Sequence, residues 1–524
     1  MHLKGFGLEN FRVFKDYTWF DFAPITILVG PNNSGKSSLI KALLLLKDAK
    51  IDLSQENYNN KFSKGTKFPK LNFENPALNL MGLETVINNK KKTIIPFYLS
   101  FDDRFFKEKL VLCIEFSDKK HSFFYQLQFK NGEILYRLGT DNNIYFHITL
   151  FFKMLINNEI VEIVEIEQES NQELRKRIEA LNYFTNFDRT LNDSFMKNIK
   201  QNPDFFSKQD YLFPDIVESW NDTNFDDFPT EAGIMMDIQD ACSKKEGLVR
   251  FEKFLEYNSL PIEFATHFYN LLDLASINNT VLNIKRNITY LPSIKGFQRR
   301  SFRTNEDDVL NQVIKNIIRT EKKDKFLRKW ESIFKLEGKI NWQTDSKLGI
   351  SFLDLNNKSL VDLGFGVSQL VAILLSIYKY SNRTKMDDFN DFFENLGNRN
   401  KFKQIMIFEE PEANLHPAFQ SNLADLFYES MRDFELQFII ETHSEYMIRK
   451  FQYLVAKGEL KKEDVVIYYF NDPNNVPKGE KQVKKIEIQE DGSLSDDFGA
   501  GFFDEAANWE LELLRLKKNK TRQN

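Results

Sequence analysis

Cysteine is nearly absent: only Cys113 and Cys242 occur in 524 residues, far apart and without CxxC spacing. That excludes a disulfide framework and a thiolate zinc site, and it suits a reducing cytosol. Long apolar runs are missing as well. The longest, LVAILLSIY at 370–378, falls far short of the roughly 18 residues that a membrane-crossing helix needs. The opening MHLKGFGLENFRVF has no unbroken apolar core of a secretory leader, so the expectation is a cytoplasmic protein with no membrane partner. Nor is there an excess of one charge. Lys and Arg number 71 against 76 Asp and Glu, giving a net charge of −5, so bulk charge does not mark a polybasic nucleic-acid binder. A local basic groove stays open.

Phosphate chemistry is what the sequence does offer. PITILVG (24–30) reads as a buried strand and KSSLIKALLLL (36–46) as a helix with Leu39, Ile40, Leu43 and Leu44 on one face. Between them Gly30-Pro31-Asn32-Asn33-Ser34-Gly35-Lys36-Ser37 matches GxxxxGK[ST]. The glycines let the backbone curl so that its N–H groups face phosphate oxygens, and the helix N-terminus adds positive potential. Lys36 is assigned to the β- and γ-phosphates, the Ser37 hydroxyl to Mg²⁺, and Gly30, Asn32, Asn33, Ser34, Gly35 and Ser38 to the cradle.

Three further stretches suit the same chemistry. In KQIMIFEEPEANLHP (403–417), Ile405–Phe408 reads as a strand, and Glu409 and Glu410 stand at its C-terminal end, where α/β sheets bind ligands. Glu409 is read as the Mg²⁺-side carboxylate and Glu410 as the residue that polarises the attacking water; a solvated acidic turn is the alternative. FIIETHSEYMI (438–448) gives another strand with His443 at its end, suited to a γ-phosphate contact if neutral. VDLGFGVSQLVAILLSIY (361–378) places Gly364 and Gly366 before an apolar helix opened by Ser368 and Gln369, either a second anion-binding helix end or a buried helix with a glycine-rich start.

Together these stretches resemble the ABC-type ATPases of the structural-maintenance, recombination and overcoming-lysogenization-defect group. GPNNSGKS resembles their Walker A motif, GFGVSQ their variant signature, EEPEANLHP their Walker B and D-loop, and THSE their His switch. LENFRVFKDYTWFDF (8–22) resembles their opening β-hairpin, and ITYLPSIKGFQRR (288–300) a segment of the bacterial anti-phage defence members, Septu-like or PARIS-like. The resemblance implies an α/β P-loop sheet with a flanking antiparallel β lobe, split by an insertion, since 373 residues separate Lys36 from Glu409. It implies ATP and Mg²⁺ as cofactors and a head-to-tail homodimer or higher oligomer. In that dimer Lys36, Ser37, Glu409, Glu410 and His443 act from one copy, and Gly366, Val367 and Ser368 of the other reach the γ-phosphate. The signature departs from LSGGQ, which leaves the donor among those three open. The implied role is a sensor in anti-phage defence that controls a separate effector nuclease. The alternative is a repair or recombination clamp that binds DNA directly.

The domains expected are an N-terminal ATPase lobe (1–160), a helical insertion (161–285), a C-terminal ATPase lobe (286–480) and an extension (481–524). The insertion sustains no heptad, which argues against a long coiled-coil arm. Arg286, Lys295, Arg299, Arg300 and Arg303 form a local basic cluster, either a DNA or RNA contact or a solvated turn. Phe498, Phe502, Phe503 and Trp509 are read as apolar anchors of the extension, docked on its own lobe or on a partner. Glu84 and Gln209 are weak alternatives for a Q-loop. FNDPNN (470–475) is no substitute for a Toprim acid constellation.

Overall fold

The computed structural model describes residues 3–49, 71–73, 78, 80–90, 94–101, 110–117, 123–129, 134–139, 144–146, 284–293, 302–303, 325–336, 340–345, 350–381, 403–499 and 502–523. The expected helical insertion lies outside them apart from its last two positions. Gln209, Cys242, Lys295, Arg299 and Arg300 are outside them too.

The N-terminal part runs β1 (Leu3–Leu8), β2 (Thr18–Asp21), β3 (Ile25–Val29), α1 (Lys36–Lys47), the one-turn α2 (Leu83–Val86), β4 (Ile94–Phe101), β5 (Leu110–Ser117), β6 (Phe123–Phe129), β7 (Ile134–Gly139) and β8 (Ile144–Phe146). The rest runs β9 (Ile288–Leu291), β10 (Phe302–Arg303), α3 (Lys325–Ile333), β11 (Ile340–Asp345), β12 (Ile350–Leu355), β13 (Lys358–Ser359), α4 (Phe365–Ser381) and β14 (Ile405–Glu409). It ends with α5 (Pro417–Phe434), β15 (Gln437–Glu441), α6 (Glu445–Ala456), β16 (Val465–Phe470), β17 (Val483–Ile486) and α7 (Glu505–Gln523).

The main sheet has the order β17-β16-β3-β15-β14-β9, and all its pairings are parallel except β17 on β16. Every residue of β3, β15 and β16 is buried, as expected for short apolar strands covered on both faces. Strand β3 comes from the N-terminal part, yet both its neighbours come from the C-terminal part, so one sheet is shared across the split. Residues read as the extension supply β17 and complete an edge of that sheet. α4 packs between α3 and α5, and α5 packs on α6. Their apolar faces join the sheet in one core.

A second, antiparallel sheet runs β2-β1-β4-β5-β6-β7-β8, the flanking β lobe implied by the resemblance. Its opening hairpin is offset from the expected 8–22, because the strands are 3–8 and 18–21 and residues 9–17 form the connection. Two polar ties fasten this lobe to the main sheet. Gln437 accepts from the Leu3 N–H at 3.1 Å and donates to the Leu3 carbonyl at 2.8 Å. The Tyr468 hydroxyl donates to the Asp21 carbonyl at 3.0 Å. Phe20 stacks on Phe470 beside them.

Phe498, Phe502 and Phe503 pack on the core. Trp509 does not: it stands 66% exposed on α7, with Leu511, Leu513, Leu514 and Leu516 also exposed. Of the four expected anchors, Trp509 therefore does not dock on its own lobe. The aromatic contacts end where α7 leaves the body.

Candidate active site

The loop after β3 turns through backbone angles that side-chain-bearing residues avoid. Gly30 has φ 140° and Gly35 φ 117°. A Cβ on Gly30 would run into the Phe470 carbonyl, and one on Gly35 would lie 2.7 Å from Val13 Cγ2. Residue type here is thus set both by φ and by the walls around the loop. The carbonyl of Gly35 then accepts from the Ser38 and Leu39 N–H groups and starts α1. Asn32 and Asn33 are exposed at the rim, while Ser34 and Ser38 are buried. The Ser34 hydroxyl has no hydrogen-bond partner. Lys36 is 3% exposed and lies along its own loop, donating to the carbonyls of Gly30 at 2.9 Å and Pro31 at 2.8 Å. Burial lowers its pKa, and the Glu441 and Glu410 carboxylates work against that shift.

Three carboxylates gather at the C-terminal ends of the next strands. β14 and β15 are parallel neighbours, and their last residues, Glu409 and Glu441, stand in register. The Tyr290 hydroxyl, from β9, donates to Glu409 at 2.9 Å, and Ser293 just beyond β9 donates to Glu410 at 2.8 Å. Glu410 has φ 44°, an unusual angle for a side-chain-bearing residue. Two hydrogen bonds hold it there: its N–H donates to the Glu441 carbonyl at 2.8 Å, and its carbonyl accepts from Gln369 at 2.7 Å.

Glu441 is buried, and the Ser37 hydroxyl lies 3.2 and 3.1 Å from its two carboxylate oxygens. Lys36 Nζ is 3.7 Å from it. Burial pushes the Glu441 carboxyl up to about 7; Lys36 opposes this and the neighbouring Glu409 adds to it. Burial raises Glu409 too, against the Tyr290 hydrogen bond.

His443 follows on the exposed rim, its N–H donating to Glu412 at 2.7 Å. Desolvation, and then the Lys36 charge, hold its imidazole below the ordinary value. The neutral ring is therefore favoured near neutral pH. It lies against Phe502, 6.2 Å between ring centres. Ser444 caps α6 by accepting from the Met447 N–H.

The signature segment is arranged differently. Gly366 is buried with its α-carbon pressed on the Asn414 carbonyl, where a Cβ would collide. Ser368 is buried, and its hydroxyl donates inward to the Leu360 carbonyl at 2.5 Å. Val367 is half-buried, while Gly364 and Phe365 are exposed. The structure therefore brings Lys36, Ser37, Glu409, Glu410 and His443 together and keeps the Ser368 hydroxyl apart from them. Glu84 is exposed on α2.

Sequence reasoning missed Tyr290, Ser293 and Glu441. The first two lie in the segment valued only for its family likeness. Glu441 was passed over in favour of His443, although IMIFE and QFIIE both end in Glu.

The donor set fits Mg²⁺. Among the described residues no group of three or more His, Cys, Asp or Glu is placed for a metal ion. A nucleotide-bound Mg²⁺ needs only one or two protein carboxylates, with phosphate oxygens and water completing its shell. Ser37 offers one oxygen at the phosphate loop, Glu441 lies against it and Glu409 ends the adjacent strand in register, so carboxylate oxygens are at hand; the unpartnered Ser34 hydroxyl lies in the same loop.

A family model described as AAA ATPase domain matches residues 1–448, and one described as a protein of unknown function matches residues 460–513. No curated protein matches. Three solved structures resemble the chain. An Smc head domain with an extended coiled coil, bound to the C-terminal domain of ScpA and derived from Pyrococcus furiosus, is 15% identical at TM-score 0.35, covering 98% of this chain and 99% of that one. The SmcHead bound to the C-winged helix domain of ScpA is 12% identical at TM-score 0.37, with coverage of 94% and 99%. The SMC head domain from Thermotoga maritima is 12% identical at TM-score 0.33, with coverage of 93% and 100%.

Proposed function

The chain belongs to the AAA ATPase domain family, and from that premise we propose that it is a Mg²⁺-dependent ATPase working as a nucleotide-gated pair of copies. In the fuller form of this reading it is the cytoplasmic sensor of a bacterial anti-phage system and controls a separate effector nuclease. The observation that carries the ATPase reading is the meeting of Lys36, Ser37 and Glu410 through Glu441 at the ends of β3, β14 and β15.

Each residue has a role that its surroundings support. Lys36 exchanges the Gly30 and Pro31 carbonyls for phosphate oxygens, a stronger charge-assisted pairing. Glu410 orients the attacking water and accepts its proton; its pinned backbone keeps the carboxylate from drifting. His443, favoured neutral, donates a ring N–H to a γ-phosphate oxygen. Ser37 and Glu409 would hold Mg²⁺, which would supply charge neutralisation at the phosphate oxygens. At the signature, the exposed Gly364 and Phe365 are the parts free to meet a second copy, and Gly366, Val367 and Ser368 line the turn behind them. The pairing and the defence role are supported by the motif resemblance.

The test compares the wild type with Glu410→Gln for ATP turnover and for mass by light scattering, with and without Mg·ATP. The expected result is turnover by the wild type and a variant that retains ATP in a particle of at least twice the mass. Absence of nucleotide binding in both proteins removes the ATPase reading. ATP-dependent DNA binding by the chain alone would favour the repair-clamp alternative.

A further inference from the structure

The Ser37 hydroxyl does not face Glu409, the carboxylate to which sequence reasoning assigned the metal. It faces Glu441, with both carboxylate oxygens within 3.2 Å. A hydroxyl has one proton to give, so one Glu441 oxygen holds it and the other stays close by. Mg²⁺ binds its oxygens at about 2.0–2.1 Å. An ion on Ser37 Oγ is therefore within reach of Glu441 and takes over the contact that the Ser37 proton now makes. Glu441 and Glu409 end adjacent parallel strands in register, which sets two carboxylates side by side. Among the described residues, Lys36 is the cation that lies within ion-pair distance of this carboxylate, at 3.7 Å. Once Lys36 moves to the phosphates, the two acids lose its charge, and a divalent cation between them replaces it.

We propose that Glu441 is a second carboxylate of the Mg²⁺ site, joining Ser37 and Glu409 in holding the ion that accompanies the nucleotide. The proposal rests on the ATPase reading. It makes the ETHS turn a bifunctional element: Glu441 serves the metal and His443, two residues on, serves the phosphate. The signal in the sequence is a strand that ends in Glu beside the strand of the Walker B acids.

The experiment titrates a fluorescent ATP analogue into full-length wild type, Glu441→Gln and Glu441→Asp, first in EDTA and then across Mg²⁺ concentrations. Manganese resonance gives an independent reading of metal binding. Glu441→Gln keeps the shape of the side chain and can still accept from Ser37, so the loop is preserved; circular dichroism melting checks the fold. The expected result is an EDTA affinity within about twofold of wild type. The Mg²⁺ concentration for half-maximal tight binding rises roughly tenfold to a hundredfold, and Glu441→Asp recovers part of that loss. An unchanged Mg²⁺ requirement in Glu441→Gln overturns the proposal. So does an equal loss in EDTA and in Mg²⁺, which would make Glu441 only a brace for the loop. Should the wild type bind no nucleotide under either condition, the ATPase reading falls and this inference with it; a normally binding wild type confines any failure to Glu441.

Discussion

Two helices of this chain, α1 and α4, begin at glycine-rich turns, and the turns put their glycines and serines to opposite uses. Before α1, Gly30 and Gly35 are required by backbone angle, and the turn sends Ser37 toward the carboxylates at the strand ends. In the first turn of α4, Gly366 has an ordinary backbone angle and is required by proximity, because the Asn414 carbonyl occupies the place of a side chain. Its serine, Ser368, turns inward to Leu360. What precedes each helix explains the contrast. A buried central strand delivers α1 to the ligand edge of the sheet, whereas α4 follows the β12–β13 hairpin and buries its stretch from Leu370 to Tyr378 in the core. A glycine-rich helix start therefore says that backbone comes close to something. Only the preceding element says whether that something is a ligand or the protein itself.

The sharpest way to break this contrast is to put a Cβ on each glycine. Gly30→Ala meets both a forbidden φ and a backbone wall, and is expected to cost about 3 kcal/mol or more, with loss of nucleotide binding. Gly366→Ala meets the wall alone, for about 1–3 kcal/mol. Urea unfolding with a nucleotide titration separates the two. Equal losses would erase the distinction.

The serines come next. Ser368→Ala removes one of two donors to the Leu360 carbonyl, the Leu363 N–H remaining, for about 0.5–1.5 kcal/mol of stability, and nucleotide affinity is unchanged. Ser37→Ala weakens Mg·ATP binding at least about tenfold while affinity in EDTA holds. A Ser368 variant that lost affinity as strongly as the Ser37 variant would show that its hydroxyl turns outward when nucleotide binds.

Gln369 tests a bridge between the two regions. Gln369→Leu removes its hydrogen bond to the Glu410 carbonyl, for about 0.5–1.5 kcal/mol, and turnover falls while affinity does not. Unchanged turnover would mean that the Glu441 carbonyl alone fixes Glu410.

The smallest effect concerns the turn on which Gly366 rests. Burial raises the Glu412 carboxyl above its ordinary value. A raised acid contributes its full stability below the unfolded carboxylate value, near pH 4.3, and loses it as pH rises through the folded value. Between pH 5 and pH 8 the melting temperature of Glu412→Gln should therefore fall less than that of the wild type. A steeper fall in the variant would reverse the sign.

Much of the ATPase edge was legible because each of its parts is local. A strand, a glycine loop and a helix lie within residues 24–46, and the strands ending at Glu409 and Glu441 are short apolar runs that stop at acids. What escaped depends on which strands lie side by side. Tyr290 reaches Glu409 only because β9 pairs with β14 across more than a hundred residues. Glu441 reaches Ser37 only because β15 inserts between β3 and β14. Trp509 parts from the three packed phenylalanines for a different reason: residue type alone does not show that the exposed α7 begins between them.

The central position of β3 has a consequence for how the protein is made. Its partners β15 and β16 lie more than 400 residues downstream. At about 5–20 residues per second, synthesis leaves the phosphate-loop strand without neighbours for roughly 20 seconds or more. During that interval both its edges can pair with the wrong chain. The native pairing of the phosphate-loop strand thus waits until most of the chain exists, and its capture closes contacts of very large sequence separation, the kind that forms slowly.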